Sequence, residues 1–506
     1  MNTILRSDPG EPAPSGAGSS HHADLLILGS GSTAFAAATR ARDLGKTAIM
    51  IEERTLGGTC VNRGCLPSKN LLDAAKLAAD ALNPRFLGLR PTRIAVDFSA
   101  LIAQKDALIA EYRNQHYTSL LSSQGDSAHG HETAQVIVGH ATLLDAHTAQ
   151  VIAPDFAVRQ VSGSHILIAT GSHPVIPTIP GLAETPYLTS DLLTSEEAME
   201  LTELPASLLI LGGGYIALEL GQFFARMEVD VTILERSARV LNDEEPEVSH
   251  TLTALLREDG VRIIPHVSVS AVQGDEREVV VAATVAGRPH EFRAAKLLVA
   301  SGRAPNTDGL GLEPLGVRLD ADGAVIVDDE LRTTAPHIWA AGDVLGQQQG
   351  SQMATPVGAR DGGIAASNAL TGAHQRANHR VIPRAIFTDP PVGLVGLTDY
   401  QANAAGITCD CNTIPLSAVP RAGATRDTRG VIKMVLEADT RRVIGVAMVG
   451  AEAAEVIQVA AMAMRFNATA DDLIEQLYVY PTMTEALKIA AISFSKDVST
   501  LSCCAS

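Results

Sequence analysis

Apolar runs of strand length recur along the chain in front of glycine-rich turns, and two of them open longer segments with the same layout. In ADLLILGSGSTAFAAATRARDLGKTAIMIEE, which starts at Ala23, an apolar run reaches a turn marked by Gly29, Gly31 and Ala34. An Ala-rich stretch of helical pattern follows, and a second apolar run closes on Glu52. The pattern predicts a strand, a helix and a second strand. Small residues at such a turn let the backbone approach a pyrophosphate at the helix N-terminus, where unpaired N–H groups and the helix dipole favour negative charge. An acidic residue about 20 positions later is placed to bind ribose hydroxyls. A glycine pattern alone also fits a coincidental turn; the strand context and Glu52 favour the nucleotide.

The layout recurs in LPASLLILGGGYIALELGQFFARMEVDVTILER, from Leu204, with Gly212, Gly214 and Ala217 in the matching places and Glu235 after the second run. Two units imply two dinucleotides, most economically a flavin and a nicotinamide, between which hydride passes readily. Two further strand-ending stretches, HILIATGSHP (165–174) with Gly171 and HIWAAGDVLG (337–346) with Asp343, flank the second unit. The flavin domain is therefore expected to be interrupted by the nicotinamide domain. From about residue 378 strands and helices alternate without a glycine fingerprint. The expected division is a tail at 1–22, a flavin domain at 23–178 and 300–377, a nicotinamide domain at 179–299, and a last domain at 378–506. The fold class is α/β, two Rossmann-like domains followed by an α+β C-terminal domain.

Composition narrows the function. A length of 506 residues suits three or four domains. Residues 1–22, rich in Pro, Gly and Ser, read as a flexible tail and not as a secretory signal. No run approaches the roughly 20 apolar residues of a membrane span. The 57 acidic against 39 basic residues, a net charge of −18, oppose nucleic-acid binding. Six cysteines are too sparse for a disulfide scaffold. A cytoplasmic location is expected.

Two of those cysteines lie in GGTCVNRGCLPSKNLL, where Cys60 and Cys65 follow Gly57, Gly58 and Thr59 and precede a helical run. Thiols at a helix N-terminus have lowered pKa values. A structural zinc site would need two more ligands, and none stands nearby in the sequence. A redox pair beside the flavin is favoured over a structural or metal pair.

This combination, GGTCVNRGCLPSK with two fingerprints and the AAGD element, resembles the pyridine nucleotide–disulfide oxidoreductases over nearly the whole chain after the tail. The resemblance implies a glutathione-reductase-like fold, FAD in the first domain, a nicotinamide coenzyme in the second and a C-terminal dimerisation domain. It further implies that Cys60 exchanges with substrate, that Cys65 lies against the flavin as a thiolate, and that Lys69 and Glu219 pair near the flavin. Asp343 is implied to contact the FAD ribityl chain. Gly29, Gly31, Ala34, Glu52, Gly57, Thr59, Lys69 and Gly171 join it in the flavin site, and Gly212, Gly214, Ala217, Glu235, Arg236 and Gly302 form the nicotinamide site. Tyr215 matches an aromatic lid over the nicotinamide pocket, the alternative being a packing residue at a helix start.

Members acting on organic disulfides carry a His-Pro-Thr…Glu motif whose histidine shuttles protons. Here VYPTMTEALK has Tyr480 in that place, with Pro481, Thr482 and Glu485 retained. A phenol with an ordinary pKa near ~10 is a poor proton shuttle at neutral pH. The chain ends LSCCAS, with Cys503 and Cys504 adjacent. Neighbouring Cα atoms lie about 3.8 Å apart, whereas disulfides need roughly 4.4–6.8 Å, so the pair suits thiols better than a disulfide. Thiolates on a tail are soft ligands for a thiophilic metal ion.

Together these features resemble the branch of the family that reduces Hg(II). The implied route takes Hg(II) from a thiol complex onto Cys503 and Cys504 of one subunit of a homodimer and on to Cys60 and Cys65 of the other. Tyr480 is implied to line the inner metal site, the alternative being an interface aromatic. Many such proteins begin with a GMTCxxC domain. Residues 1–22 hold no cysteine, so Hg(II) is expected to arrive without a tethered carrier.

Competing readings are another flavin disulfide reductase, such as dihydrolipoamide dehydrogenase, and a thiol protein that sequesters metal without turnover. The coenzyme expected is NADPH, with Arg236 and Arg239 for its 2′-phosphate, although Glu235 suits the 2′-OH of NADH. Cys409 and Cys411 form a CxC for which packing or a second thiol site are both open, and His129, His131 and His140 are given no ligand role.

Overall fold

The computed structural model describes residues 21–123, 134–196, 199–347 and 350–500. Cys503, Cys504, His129 and His131 lie outside them. The first fingerprint folds as β1 (His21–Leu28), α1 (Ser32–Asp43) and β2 (Ala48–Glu52). Two helices follow, α2 (Gly58–Arg63) and α3 (Cys65–Leu82). The strands β3 (Ala134–Val138), β4 (His140–Leu143), β5 (Thr148–Ile152) and β6 (Val158–Ile168) complete the domain's first pass. Strands β3, β2, β1 and β6 run parallel in that order, while β5 and β4 extend the sheet in antiparallel fashion. Leu25–Leu28 and Ile166–Ile168 are fully buried, as continuous apolar strands covered on both faces must be.

The second fingerprint repeats the plan. Strands Arg262–Ile264, Asp230–Leu234, Ser207–Leu211 and Lys296–Val299 form a parallel sheet in that order, and Val267–Gly274, Val279–Val285 and Arg288–Ala294 make an antiparallel meander. The chain then returns to the first sheet, where strand Ile338–Ala340 pairs in parallel with β6. The chain thus comes back to its first sheet after forming a second parallel sheet and a meander. A five-stranded antiparallel sheet, Arg384–Ile386, Val392–Gly396, Val443–Val449, Val431–Glu437 and Cys409–Pro415 in spatial order, forms the C-terminal part with helices Ala453–Arg465 and Glu485–Ile492.

The duplication extends to single hydrogen bonds. Gly29 N–H donates to Ile51 O (2.7 Å) and Ala169 N–H to Leu28 O (2.9 Å); Gly212 N–H donates to Leu234 O (3.0 Å) and Ala300 N–H to Leu211 O (2.9 Å). Gly29 (φ +107°) and Gly212 (φ +109°) each turn the chain where a Cβ would meet the oxygen of Ala169 or Ala300 at 2.4 Å. Only glycine fits that conformation and that approach. By contrast a Cβ on Gly214, where the helix begins, would meet nothing within 4 Å.

Gly212→Ala is expected to destabilise the fold by about 2–4 kcal/mol, read as a lowered midpoint of thermal unfolding. Gly214→Ala is expected to leave stability within about 1 kcal/mol of the parent while weakening coenzyme binding. Equal stability of the two variants would refute the assignment.

Candidate active site

Cys65 is the first residue of the 18-residue α3, and Cys60 sits in the short α2, with Gly64 breaking the two helices apart. The sequence pattern suggested one helical run after the cysteines. The break between them instead gives each thiol its own helix. Both are free thiols. The hydrogen bond between them is the largest influence on both: it pushes the Cys60 pKa up and lowers that of Cys65 to about 6. Desolvation opposes the Cys65 charge, and the Lys69 ammonium and Thr355 hydroxyl support it. The start of a long helix is electrostatically suited to that anion. The pair is therefore a thiol donating to a thiolate, with the charge on Cys65.

Lys69 lies one turn into α3. Its Nζ is 2.7 Å from Glu219 Oε2 and 4.7 Å from the centre of the Phe387 ring. Glu219, whose side chain is only 5% exposed, also accepts the Phe387 N–H through Oε1 (2.8 Å). Glu219 belongs to helix Tyr215–Arg226, whose first residue, Tyr215, is part-exposed beside the Gly214 turn. A cleft of about 490 Å³ borders Lys69, Phe387, Arg226 and Met483.

The first fingerprint holds its acid tightly. Glu52 accepts from Ser30 N–H (3.0 Å) and Ser30 Oγ–H (2.6 Å) with one oxygen, and from Arg54 and Thr55 N–H (2.7 and 3.1 Å) with the other. It thereby shapes the loop at the start of α1. A Cβ on Gly31 would meet only Gly58 Cα, at 3.8 Å, and one on Gly171 nothing within 4 Å, so small residues leave open space on the side a flavin nucleotide would occupy. Asp343 accepts from Ser172 Oγ–H (2.8 Å), itself the acceptor of Arg303 Nε–H (2.9 Å); burial holds the Asp343 carboxyl above the usual range. The donors and glycine gaps fit a dinucleotide in each unit.

In the second unit Glu235 accepts the Ser237 N–H at 2.5 Å, and its carboxylate crowds the turn at Gly213. Arg236 is exposed. Arg239 instead donates to the backbone oxygens of Asn242 (2.7 Å) and Glu244 (3.2 Å), which turns its guanidinium into its own loop. Tyr480 is half-exposed in the segment preceding helix Glu485–Ile492, where Glu485 accepts the Thr482 N–H (3.2 Å).

Three neighbours were not legible as site residues. Thr355 opens helix Thr355–Thr371, which packs closely on α1 because Gly358 and Gly362 face Thr33. The Thr355–Pro356 step signals a helix start, but not its destination at the cysteines. Phe387 directly follows strand Arg384–Ile386 of the C-terminal sheet. Tyr117, edge-on to Phe35 with ring centroids 4.8 Å apart, has its pKa raised by burial and by the nearby cysteines.

A thiol–thiolate pair at a helix start, backed by a lysine from that helix and reached by two dinucleotide-binding units, defines a two-electron thiol reductase. The chain belongs to the pyridine nucleotide-disulphide oxidoreductase family, whose main model matches residues 23–362 and whose dimerisation domain matches residues 382–491. Within it the chain is similar to mercuric reductases: 42% identical to that of Streptomyces lividans over 95% of this chain and 98% of the relative, and 41% identical to that of Shigella flexneri over 96% and 84%. Among solved structures, the Cu(II) complex of the HOCl-induced flavoprotein disulfide reductase RclA from Escherichia coli superposes with a TM-score of 0.81 at 31% identity, covering 94% of this chain and 100% of that one.

Alkylation of Cys65 in the reduced protein, followed site by site by mass spectrometry, is expected to rise with pH around a midpoint of about 6. Lys69→Met removes a cation that favours the thiolate and is expected to move the midpoint upward by about one pH unit. An unmoved midpoint would remove Lys69 from the cause.

Proposed function

We propose that the protein reduces Hg(II) to elemental mercury as a cytoplasmic homodimer, with the domain boundaries given in the sequence analysis, except that the flavin domain starts at His21, the first residue of β1. The observation that supports this most is the asymmetric pair: Cys65 held as thiolate by Cys60, Lys69 and Thr355. A soft ion takes two thiolates, so the proton remaining on Cys60 is released as the metal binds. Bound FAD would supply a two-electron relay from the nicotinamide coenzyme to the metal ion. The turn at Gly29 and Gly31, with Glu52 and Asp343, would hold and orient it, and Gly212, Gly214 and Gly302 would hold the coenzyme beneath Tyr215. Lys69, fixed by Glu219, keeps positive charge beside the thiolate.

Delivery falls to Cys503 and Cys504 of the partner subunit, which take Hg(II) from a solution thiol and exchange it onto Cys60 and Cys65. Each exchange onto Cys60 and Cys65 forms one Hg–S bond as another breaks; the Cys65 thiolate displaces one cysteine as a thiolate, and the proton leaving Cys60 passes to the other. Tyr480 lines the inner site with a phenol in place of an imidazole. A histidine there would serve dithiol acid–base chemistry; a phenol adds no competing nitrogen ligand. We assign the coenzyme as NADPH, with the exposed Arg236 for its 2′-phosphate; Glu235 leaves NADH as the second coenzyme. Reduction of another thiophilic ion is a second reading, favoured by the Cu(II) complex that the solved relative forms.

With excess low-molecular-weight thiol and no oxygen, coenzyme oxidation and mercury-vapour release are expected in step; oxidation only with lipoamide or glutathione disulfide, or with Cu(II) and not Hg(II), would overturn the reading. Replacing Cys503 and Cys504 by Ser is expected to slow turnover with bulky Hg(II)–thiol complexes on the order of tenfold more than with small ones. Equal losses would sink the delivery role. Arg236→Ala is expected to lower kcat/KM for NADPH about tenfold while sparing NADH, and equal effects on both would reassign the residue.

A further inference from the structure

Cys409 and Cys411 take no part in the chemistry above, yet the fold gives them a common setting. They lie on strand Cys409–Pro415, the edge strand of the C-terminal sheet, where residues two apart point to one face. Both sulfurs converge on one residue: Cys409 Sγ is 3.9 Å from Asp399 O and Cys411 Sγ 3.8 Å from Asp399 Oδ2. Cys411 is exposed and Cys409 partly so. The pair is open to solvent on one side and backed by a fixed polar cluster on the other.

That cluster is built around Lys433, whose ammonium is 2.8 Å from Asp399 Oδ2, 2.8 Å from Glu245 Oε2 and 3.1 Å from Glu247 Oε1. Three carboxylates thus surround one cation. Two naked thiolates beside this excess of negative charge are disfavoured, and desolvation together with Asp399 accordingly pushes both thiols' pKa values up. A divalent ion that replaces two thiol protons leaves the local charge unchanged. A disulfide is not the natural use of the pair, because Cα atoms two apart on a strand are about 6.6–6.8 Å from each other, at the far limit for an S–S bridge. A metal ion lengthens the link between the sulfurs and suits that separation. Among the described residues no group of three or more His, Cys, Asp or Glu side chains is arranged to hold a metal. Two sulfurs are then the site's whole complement, too few for tetrahedral zinc and sufficient for a soft ion content with two thiolates.

We infer that Cys409 and Cys411 form a second binding site for one soft, two-coordinate thiophilic ion of the Hg(II) class, separate from the Cys60–Cys65 pair. Binding exchanges two S–H bonds for two S–metal bonds; the protons pass to the thiols that brought the ion, and nothing is oxidised or reduced. The site stands on its own residues and does not require the reductase reading.

The test uses the full-length flavoprotein with Cys60, Cys65, Cys503 and Cys504 all replaced by Ser, dialysed against Hg(II) in millimolar glutathione. One Hg(II) retained per chain is expected, falling at least tenfold in affinity when Cys411→Ser is added, because a single thiol loses the chelate advantage over free glutathione. No retained Hg(II), retention unchanged by Cys411→Ser, or equal retention of Zn(II) would each overturn the inference. Should the quadruple variant fail to bind flavin, Cys411→Ser in the otherwise unaltered protein gives the same reading: the bound stoichiometry is expected to drop by one, and an unchanged stoichiometry overturns the site.

Discussion

The Lys69–Glu219 ion pair is the contact on which the arrangement of the site depends. Glu219 is buried, and a buried carboxylate is costly unless a cation and hydrogen-bond donors meet it. Lys69 supplies the cation and the Phe387 N–H the donor, so one carboxylate gathers helix α3, helix Tyr215–Arg226 and the segment that follows strand Arg384–Ile386. Position on the helix does the rest. Tyr215, Glu219, Gln222 and Arg226 fall four, three and four residues apart on helix Tyr215–Arg226 and share one face. Going down that face, the chain meets the Gly214 turn, Lys69 and then Asp389, which Arg226 contacts at 2.9 Å and whose N–H donates to Gln222 (2.7 Å). The spacing of the Gly214 turn, Lys69 and the Asp389 segment is therefore set by one helix.

The duplicated fingerprint imposes a second constraint. In both units a glycine with positive φ packs against the carbonyl just past the neighbouring parallel strand, which locks the turn to the sheet and aims the following helix N-terminus at open space. The two helices then differ in use. α1 is covered by helix Thr355–Thr371, close enough through Gly358 and Gly362 that Thr355 arrives at the cysteines, whereas helix Tyr215–Arg226 leaves its Tyr215 end open and gives its flank to Lys69. One motif thus yields one helix start that is covered and one that is open.

Short-range signals in the sequence are strong where backbone geometry demands a residue type. Gly29, Gly212, the strands beside them and the return at 337–346 were legible because only small residues and apolar runs satisfy those turns and a buried parallel sheet. The Lys69–Glu219 pairing was legible only through resemblance; nothing local tells a lysine in α3 that its partner stands 150 positions later. Thr355, Phe387 and Tyr117 were not legible at all, since each reaches the site through packing of separate elements. Arg239 shows how tertiary contacts add what position alone does not tell: carbonyls of its own loop engage the guanidinium.

The two cysteine pairs among the described residues show that a thiol's chemistry is set around it. Cys60 and Cys65 stand on two helices, with Lys69 a turn away and a helix start beneath the anion, so one proton is already nearly lost at neutral pH and the pair is ready to give up electrons or to take up metal. Cys409 and Cys411 stand on an edge strand against Asp399, in a cluster with more carboxylates than cations, so both protons are held until something divalent replaces them together. The first environment favours charge on sulfur and hence turnover; the second tolerates no added charge and hence favours retention. A chain with both can handle one soft ion as substrate and hold another without passing electrons to it, because only the first pair is placed beside the dinucleotide-binding turns.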